Sequence, residues 1–133
     1  MIEPWKLIGL KYRLGADPER HGAADCLSMS RAVLHWSGIP TPKPERNWYR
    51  RLRKRDYAVF RDELERWGHQ TDTAKLGVVG LGRGSDCLGL IAFYESGWLH
   101  FNDEKQIAWV PLNALTPVAL YSRLKSKSVK PSA

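Results

Sequence analysis

One cysteine of the chain stands where a thiol could act as a nucleophile. Asp25 is a strong helix N-cap, and residues at helical spacing follow it, at Cys26, Met29, Val33 and Trp36. This pattern predicts a helix whose first turn carries Cys26. The positive end of a helix dipole lowers the pKa of a thiol and makes the thiolate a better nucleophile. The alternative is that Cys26 is a small buried hydrophobic residue of the core.

Four histidines are the candidates for a general base beside this thiol. His21 precedes the predicted helix, on a loop that could fold over the site. His100 falls in a predicted strand, where its alternative role is a structural hydrogen bond. His35 should point away from the first turn of the helix, and His69 follows a helix end, where we expect an exposed side chain. The choice of base therefore stays open at this point.

The elements that must position these residues fall into two groups. Before residue 74, the sequence predicts an opening helix at 5–8, a turn at 9–15, a loop at 16–24 and helices at 25–37, 48–54 and 57–67. After residue 74, segments rich in β-forming residues alternate with turn signals, which predicts strands at 76–81, 88–94, 98–101, 107–110 and 118–121. Helices followed by strands indicate an α+β domain whose helices pack on an antiparallel sheet of about five strands.

The composition limits the classes of function. The chain has 133 residues, of which 43% are hydrophobic, and this predicts one domain over 1–122, followed by a flexible basic tail over 123–133. Two cysteines are too few for a disulfide framework, and neither they nor the histidines have metal-ligand spacing, so we expect no metal and no cofactor. No secretory signal and no membrane-spanning apolar run is present, so we expect synthesis in a cytoplasm without membrane insertion.

The net charge of +7 favours anionic partners, which include nucleic acid, anionic cell-wall polymers and acidic protein surfaces. A basic stretch over 46–55 contains the aromatic residues Trp48 and Tyr49, a mixture that can bind nucleic acid. We favour the alternative, a solvated or protein-contacting helix face whose arginines pair with nearby acidic residues. These acidic residues are Asp56, Asp62, Glu63 and Glu65.

The segment around Cys26 resembles the nucleophile motif of the NlpC-type papain-like cysteine hydrolases. Segment 9–15 (GLKYRLG) resembles the Y-R-x-G turn of the family, Asp25 and Cys26 resemble its F-D-C-S-G elbow, and segment 37–40 (SGIP) resembles its helix stop. The resemblance implies a papain-like fold, in which a helix with the cysteine packs on a sheet with a histidine. It also implies cleavage of peptide bonds in peptidoglycan stems. Tyr12 matches the family tyrosine near the nucleophile.

The later strands resemble the same family in outline. Segment 87–91 (CLGLI) resembles its H-V-G-I-Y strand, and segment 98–100 (WLH) resembles the F-I-H that supplies a third polar residue. The resemblance therefore places Cys87 at the position of the base and His100 at the orienting position. A thiol lacks the basic nitrogen that takes and returns a proton. If the alignment is right, Cys26 and Cys87 face each other with Cα atoms within roughly 7 Å.

Two main hypotheses about function follow, and a third is weaker. The first is a bacteriophage tail component, at the tail tip or baseplate hub, with an NlpC-type fold and a degenerate or weak site; its partners are other tail proteins and its location is the virion tail. The second is an active cysteine peptidase or amidase that cleaves peptidoglycan stem peptides, with Cys26 as nucleophile and Tyr12 near the oxyanion. Asp25 and His21 are the expected binding residues. The third is a nucleic-acid-binding accessory protein.

Overall fold

A computed structural model describes residues 1–43, 47–83 and 88–122, except the side chains of Arg83 and Leu88. Cys87 and the basic tail predicted at 123–133 lie outside the described residues. Within them the fold is α+β, as predicted, with four α-helices and a six-stranded antiparallel sheet. The helices are α1 (Pro18–His21), α2 (Cys26–Trp36), α3 (Trp48–Arg53) and α4 (Ala58–Trp67), and short 3₁₀ turns occur at Pro4–Leu7 and Leu112–Ala114.

Eight strands form two sheets in the described part of the chain. The strands are β1 (Lys11–Tyr12), β2 (Ala23–Ala24), β3 (His69–Thr71), β4 (Val78–Arg83), β5 (Leu88–Tyr94), β6 (Gly97–Phe101), β7 (Ile107–Pro111) and β8 (Ala119–Ser122). β1 and β2 form a parallel pair. The other six have the order β3-β8-β4-β5-β6-β7, with all neighbours antiparallel.

The signals read from the sequence explain why α2 begins and ends where it does. The Asp25 side chain accepts a hydrogen bond from the Ser28 N–H at 2.8 Å, and the Ser28 hydroxyl accepts one from the Asp25 N–H at 3.0 Å. This reciprocal capping box satisfies donors that the first turn leaves open. At the other end, Gly38 has φ 83°, a left-handed conformation that ends a helix. The predicted helix that starts with Cys26 is therefore confirmed.

The core lies mainly between the helices and one face of the large sheet. Leu27 and Leu34 of α2 pack in one buried cluster with Leu90 of β5, and Met29 packs in a second cluster with Ala92. Side chains alternate between the two faces of a strand. The intervening β5 residues therefore point to the opposite face.

The sheet contains one strand more than the five predicted, because β3 adds to its edge beside β8. The three residues of β3, His69, Gln70 and Thr71, show no apolar alternation, so the sequence contains no strand signal there. The side chain of His69 is half-buried, whereas an exposed one was expected. Tertiary pairing with β8 decides this conformation.

Short elements also replace the predicted turn and loop before α2. The turn at 9–15 contains β1, and the loop at 16–24 contains α1 and β2. Asp17 caps α1 by accepting a hydrogen bond from the Glu19 N–H at 2.9 Å, and Pro18 occupies the first helical position, which suits it. The short opening helix predicted at 5–8 is a 3₁₀ helix at Pro4–Leu7. None of these segments has enough length for a periodic pattern.

The ion pairs predicted for the basic stretch occur at Arg51 of α3. Its Nε lies 2.8 Å from Asp56 and its Nη2 lies 2.8 Å from Asp62. Glu63, in contrast, pairs with Arg66 of its own helix at 2.8 Å. No helix among the described residues is long and apolar enough to cross a membrane.

Candidate functional site

Cys26 lines a cavity of about 800 Å³ beside the end of the β4–β5 pair. It is the first residue of α2 and is 8% exposed. Two other residues singled out in the sequence, Tyr12 and His100, line the same cavity. Gly82 and Gly89, which face each other across β4 and β5, also border it. The described residues that line this cavity thus include Cys26, Tyr12 and His100.

The buried side chain of Asp25 stabilises the first turn of α2. Its side chain is fully buried, and its two carboxylate oxygens accept 2.8 Å hydrogen bonds from the N–H groups of Gly15 and Ser28. Burial raises the pKa of Asp25, and hydrogen bonds from Ser28, Gly15 and the Tyr49 side chain oppose that rise. Asp25 is not among the described residues that line the cavity. Its geometry is that of a positioning residue for Cys26.

Tyr49 is a participant that the sequence reasoning missed. It lies in α3, and its side chain hydrogen-bonds to Asp25; burial, the charge of Asp25 and this hydrogen bond raise the pKa of the phenol. Because the hydroxyl keeps its proton, it can donate to the buried carboxylate. No local pattern links Tyr49 to Asp25, since a proline-containing connector separates α3 from α2.

Tyr12 stands at the edge of the cavity with 40% of its surface exposed. Its partner in the parallel β1–β2 pair is Ala24, which lies two residues before Cys26. The Tyr12 ring makes an edge-to-face contact with Phe101 of β6 at 5.3 Å between ring centres. This contact and the strand pairing hold the tyrosine close to the start of α2.

His100 borders the cavity from the sheet face that points away from α2. Leu99 of β6 packs in the cluster that contains α2 residues, whereas Trp98 packs on the other face. Alternation along the strand places His100 on the same face as Trp98. Burial lowers the pKa of His100, while a hydrogen bond with the Phe101 backbone and the charge of Asp103 oppose this shift.

The other three histidines lie in separate surroundings. Nδ1 of His21 accepts a hydrogen bond from the Asp17 N–H at 2.9 Å, at the exposed end of α1. Nε2 of His35 lies 2.9 Å from Oγ1 of Thr41, and burial and nearby Arg31 lower its pKa. His69 belongs to β3 at the edge of the large sheet. None of these three is among the described residues that line the cavity.

Two cationic residues, Arg55 and Lys105, also line the cavity. Arg55 belongs to the basic stretch over 46–55, whereas Lys105 carried no signal in the sequence. Arg55 follows the end of α3, and Lys105 lies in the turn between β6 and β7. A search of the described residues for groups of three or more His, Cys, Asp or Glu side chains that could hold a metal ion found none.

Comparison of the chain with protein-family models and with curated proteins gave no match in either case. The fold and the residues around the cavity are therefore the basis for a proposed function.

Proposed function

We propose that this domain is a weak cysteine hydrolase of the NlpC-type papain-like class, with Cys26 as its nucleophile and an amide bond of a peptide-like molecule as its substrate. The observation that carries the proposal is the position of Cys26 at the first turn of α2, on the wall of an 800 Å³ cavity. A helix N-terminus stabilises a thiolate, and a cavity of this size can hold a small peptide. The packing of α2 on one face of an antiparallel sheet supports the papain-like assignment.

The chemistry follows from these positions. The Cys26 thiolate attacks the amide carbonyl carbon, and the electron pair of the carbonyl moves to its oxygen, beside the N-terminus of α2, whose dipole stabilises negative charge. Collapse of this intermediate breaks the C–N bond, and the amine leaves with a proton from the general acid. Water then attacks the thioester carbonyl, the acyl group leaves as a carboxylic acid, and the thiol is regenerated. Tyr12, at the edge of the same cavity, is placed to contact the substrate near its carbonyl.

The weak activity in this proposal follows from the position of His100. Among the described residues, His100 is the one histidine that lines the cavity. It is therefore our candidate for the group that delivers the proton to the amine. Its side chain starts on the sheet face opposite α2, and proton transfer is efficient only within hydrogen-bond distance. We therefore expect turnover well below that of a papain-like enzyme with a directly opposed histidine.

A second candidate function is a phage tail component with a degenerate site. The observation that favours it is again the orientation of His100, which shares the face of Trp98 instead of the face packed on α2. In this proposal the domain contacts other tail-tip or baseplate proteins, or peptidoglycan, and does not cleave a substrate. Loss of Cys26 should then leave its assembly unchanged.

The pH dependence of iodoacetamide alkylation at Cys26 tests the two proposals. The protein carries Cys87→Ser, so that one thiol reacts, and mass spectrometry gives the rate. The hydrolase proposal predicts a rate that stays high well below the ordinary thiol pKa of about 8.5. A profile with an ordinary midpoint contradicts it and favours the structural role.

Two further variants test the source of a stabilised thiolate and the identity of the nucleophile. His100→Gln should move the alkylation midpoint upward if His100 is paired with the thiol, and should leave it in place if the helix terminus alone is responsible. Cys26→Ala should abolish cleavage of a peptidoglycan stem peptide while the urea midpoint of unfolding is retained. Cleavage that survives Cys26→Ala would overturn the hydrolase assignment.

A further inference from the structure

The described wall of the cavity contains two positive charges and no negative one. Arg55 and Lys105 line it, and no Asp or Glu is among the described lining residues. Neither cation takes part in any of the ion pairs found between described residues. The remaining lining side chains are mainly apolar or aromatic and include those of Leu52, Tyr57, Phe60, Leu90, Phe101 and Leu115.

The backbone holds both cations in turns of uncommon conformation. Arg55 has φ 61° and Lys105 has φ 59°, a region that residues other than glycine seldom adopt. The Arg55 N–H donates to the Leu52 carbonyl at 2.9 Å, and the Lys105 N–H donates to the Asn102 carbonyl at 2.9 Å. The Lys105 carbonyl in turn accepts from the Tyr12 N–H at 2.9 Å. Such conformations persist where the surroundings determine them, and they concentrate at binding sites.

The start of α2 adds a third source of positive potential. Cys26, the first residue of this eleven-residue helix, lines the same cavity, and a helix N-terminus carries a partial positive charge. Positive groups around a concave, largely apolar wall concentrate the electric field inside it. An anion that enters the cavity is therefore attracted by both side chains and by the helix terminus.

We propose that this cavity binds a small molecule that joins an anionic group, a carboxylate or a phosphate, to an apolar or aromatic body. Arg55 and Lys105 hold the anionic group, and the rings of Tyr57, Phe60 and Phe101 contact the apolar body. The volume of about 800 Å³ lies within the range of small-molecule sites. The proposal goes beyond the hydrolase assignment and does not depend on Cys26 acting as a nucleophile.

Two fluorescent probes that differ in charge test the proposal. Anilinonaphthalene sulfonate carries an anionic group on aromatic rings, and N-phenyl-naphthylamine has the same rings without the charge. We expect wild-type protein to bind the sulfonate more tightly than the neutral probe. The variant Arg55→Gln, Lys105→Gln should weaken sulfonate binding by about fivefold to tenfold and leave binding of the neutral probe unchanged.

A matched variant controls for the overall charge. Lys54→Gln, Lys75→Gln removes the same two charges from exposed residues that do not line the cavity. It should retain the wild-type affinity for the sulfonate, and urea unfolding checks that both double variants fold. Equal weakening by the two double variants would overturn the proposal, because it would mean that only net charge matters. No weakening by Arg55→Gln, Lys105→Gln would overturn it as well.

Competition against the bound sulfonate identifies the anionic group. N-acetyl-phenylalanine supplies a carboxylate, phenyl phosphate supplies a phosphate, and N-acetyl-phenylalaninamide supplies the same ring without charge. Displacement by either anion at a concentration where the amide has no effect supports the proposal, and the stronger competitor names the group. Equal displacement by all three contradicts it. Because the readout is binding, failure here is distinct from failure of the alkylation experiment at Cys26.

Discussion

The backbone N–H of Gly15 donates a 2.8 Å hydrogen bond to Oδ2 of Asp25, ten residues away in the chain. Oδ1 of the same carboxylate accepts from the Ser28 N–H at 2.8 Å, and the Tyr49 side chain also hydrogen-bonds to it. A fully buried carboxylate thus connects the loop before α1, the first turn of α2 and α3. Because Cys26 is the next residue, this arrangement determines where the candidate nucleophile lies.

The first prediction concerns the stability that this carboxylate provides. Asp25→Ala should lower the free energy of unfolding by about 2–4 kcal/mol, since it removes an N-cap and leaves the Gly15 N–H and the Tyr49 hydroxyl without this acceptor. Asp17→Ala is the matched control, because Asp17 caps the short helix α1 from an exposed position. It should cost about 1 kcal/mol or less. Urea unfolding measures the free energy of both variants. Equal losses for Asp25→Ala and Asp17→Ala would show that the burial of Asp25 adds nothing to its contribution to stability.

The second prediction concerns the pH dependence contributed by His100. Burial lowers its pKa in the folded state below the ordinary value of 6.5. Between the folded pKa and 6.5, the unfolded chain binds more protons, so stability rises with pH across this window. The stability associated with neutral His100 is fully present above pH 6.5 and is lost as the pH falls to the pKa of His100 in the folded state. His35, whose pKa burial also lowers, contributes with the same sign.

His100→Gln removes this titration, so its stability should change less with pH than that of the wild type below pH 6.5. Urea unfolding at several pH values, with the two proteins side by side, measures the difference in slope. The double variant His35→Gln, His100→Gln should flatten the dependence further. Parallel curves for wild type and His100→Gln would contradict the assignment of a lowered pKa to His100.

The elements with strong local signals could be predicted from the sequence. Asp25 as N-cap, the apolar spacing that follows it and Gly38 as terminator together locate α2. The later strands are rich in β-forming residues and are separated by turn signals, and they also lie near their predicted positions. β3 and α1 could not be found, because three or four residues are too few for a period. Pairing with β8 and the cap at Asp17 stabilise them instead.

The candidate site was predictable only in part, because its residues meet through the fold. The motif around Cys26 predicted that Tyr12 lies near it, and both line the cavity. Arg55 and Lys105 are fifty residues apart in the sequence and share no local pattern. Only the folded structure shows that both line the same cavity. The orientation of His100, in contrast, could have been inferred. It is two residues from Trp98 on one strand, and such residues share a face.

The third prediction concerns a glycine at the start of β6. A Cβ on Gly97 would overlap the carbonyl oxygen of Val110 and lie 2.5 Å from the Trp109 ring. The ring is held in place, because its N–H donates to the Tyr94 carbonyl at 2.7 Å. Gly97→Ala should therefore lower the free energy of unfolding by about 3 kcal/mol. Gly89→Ala is the matched control in a neighbouring strand.

A Cβ on Gly89 would have no heavy atom within 4 Å. Gly89→Ala should change the stability by less than about 1 kcal/mol, although it reduces the volume of the cavity that Gly89 borders. Thermal or urea unfolding of the two variants gives the comparison. Similar stabilities for both would mean that β7 can move away from β6 at little cost.

The fourth prediction concerns a buried carboxylate far from the cavity. Glu63 of α4 is fully buried, and it accepts hydrogen bonds from Arg66 Nη1 at 2.8 Å and from Trp67 Nε1 at 2.9 Å. Removal of Arg66 leaves this carboxylate without its cation in a site that water does not reach. Because the Arg66 side chain is itself one-third exposed, we expect Arg66→Ala to cost about 2–3 kcal/mol, less than for a fully buried pair.

A double-mutant cycle separates the ion pair from the packing of the arginine. In the Glu63→Gln background the side chain can still accept from Trp67, but it has no charge to neutralise. Arg66→Ala should then cost about 1–2 kcal/mol less than it does in the wild type. Arg66→Ala could instead cost the same in the wild type and in the Glu63→Gln background. Arg66 would then stabilise the fold through its aliphatic packing and its hydrogen bond to the Lys43 carbonyl, and not by neutralising the charge of Glu63.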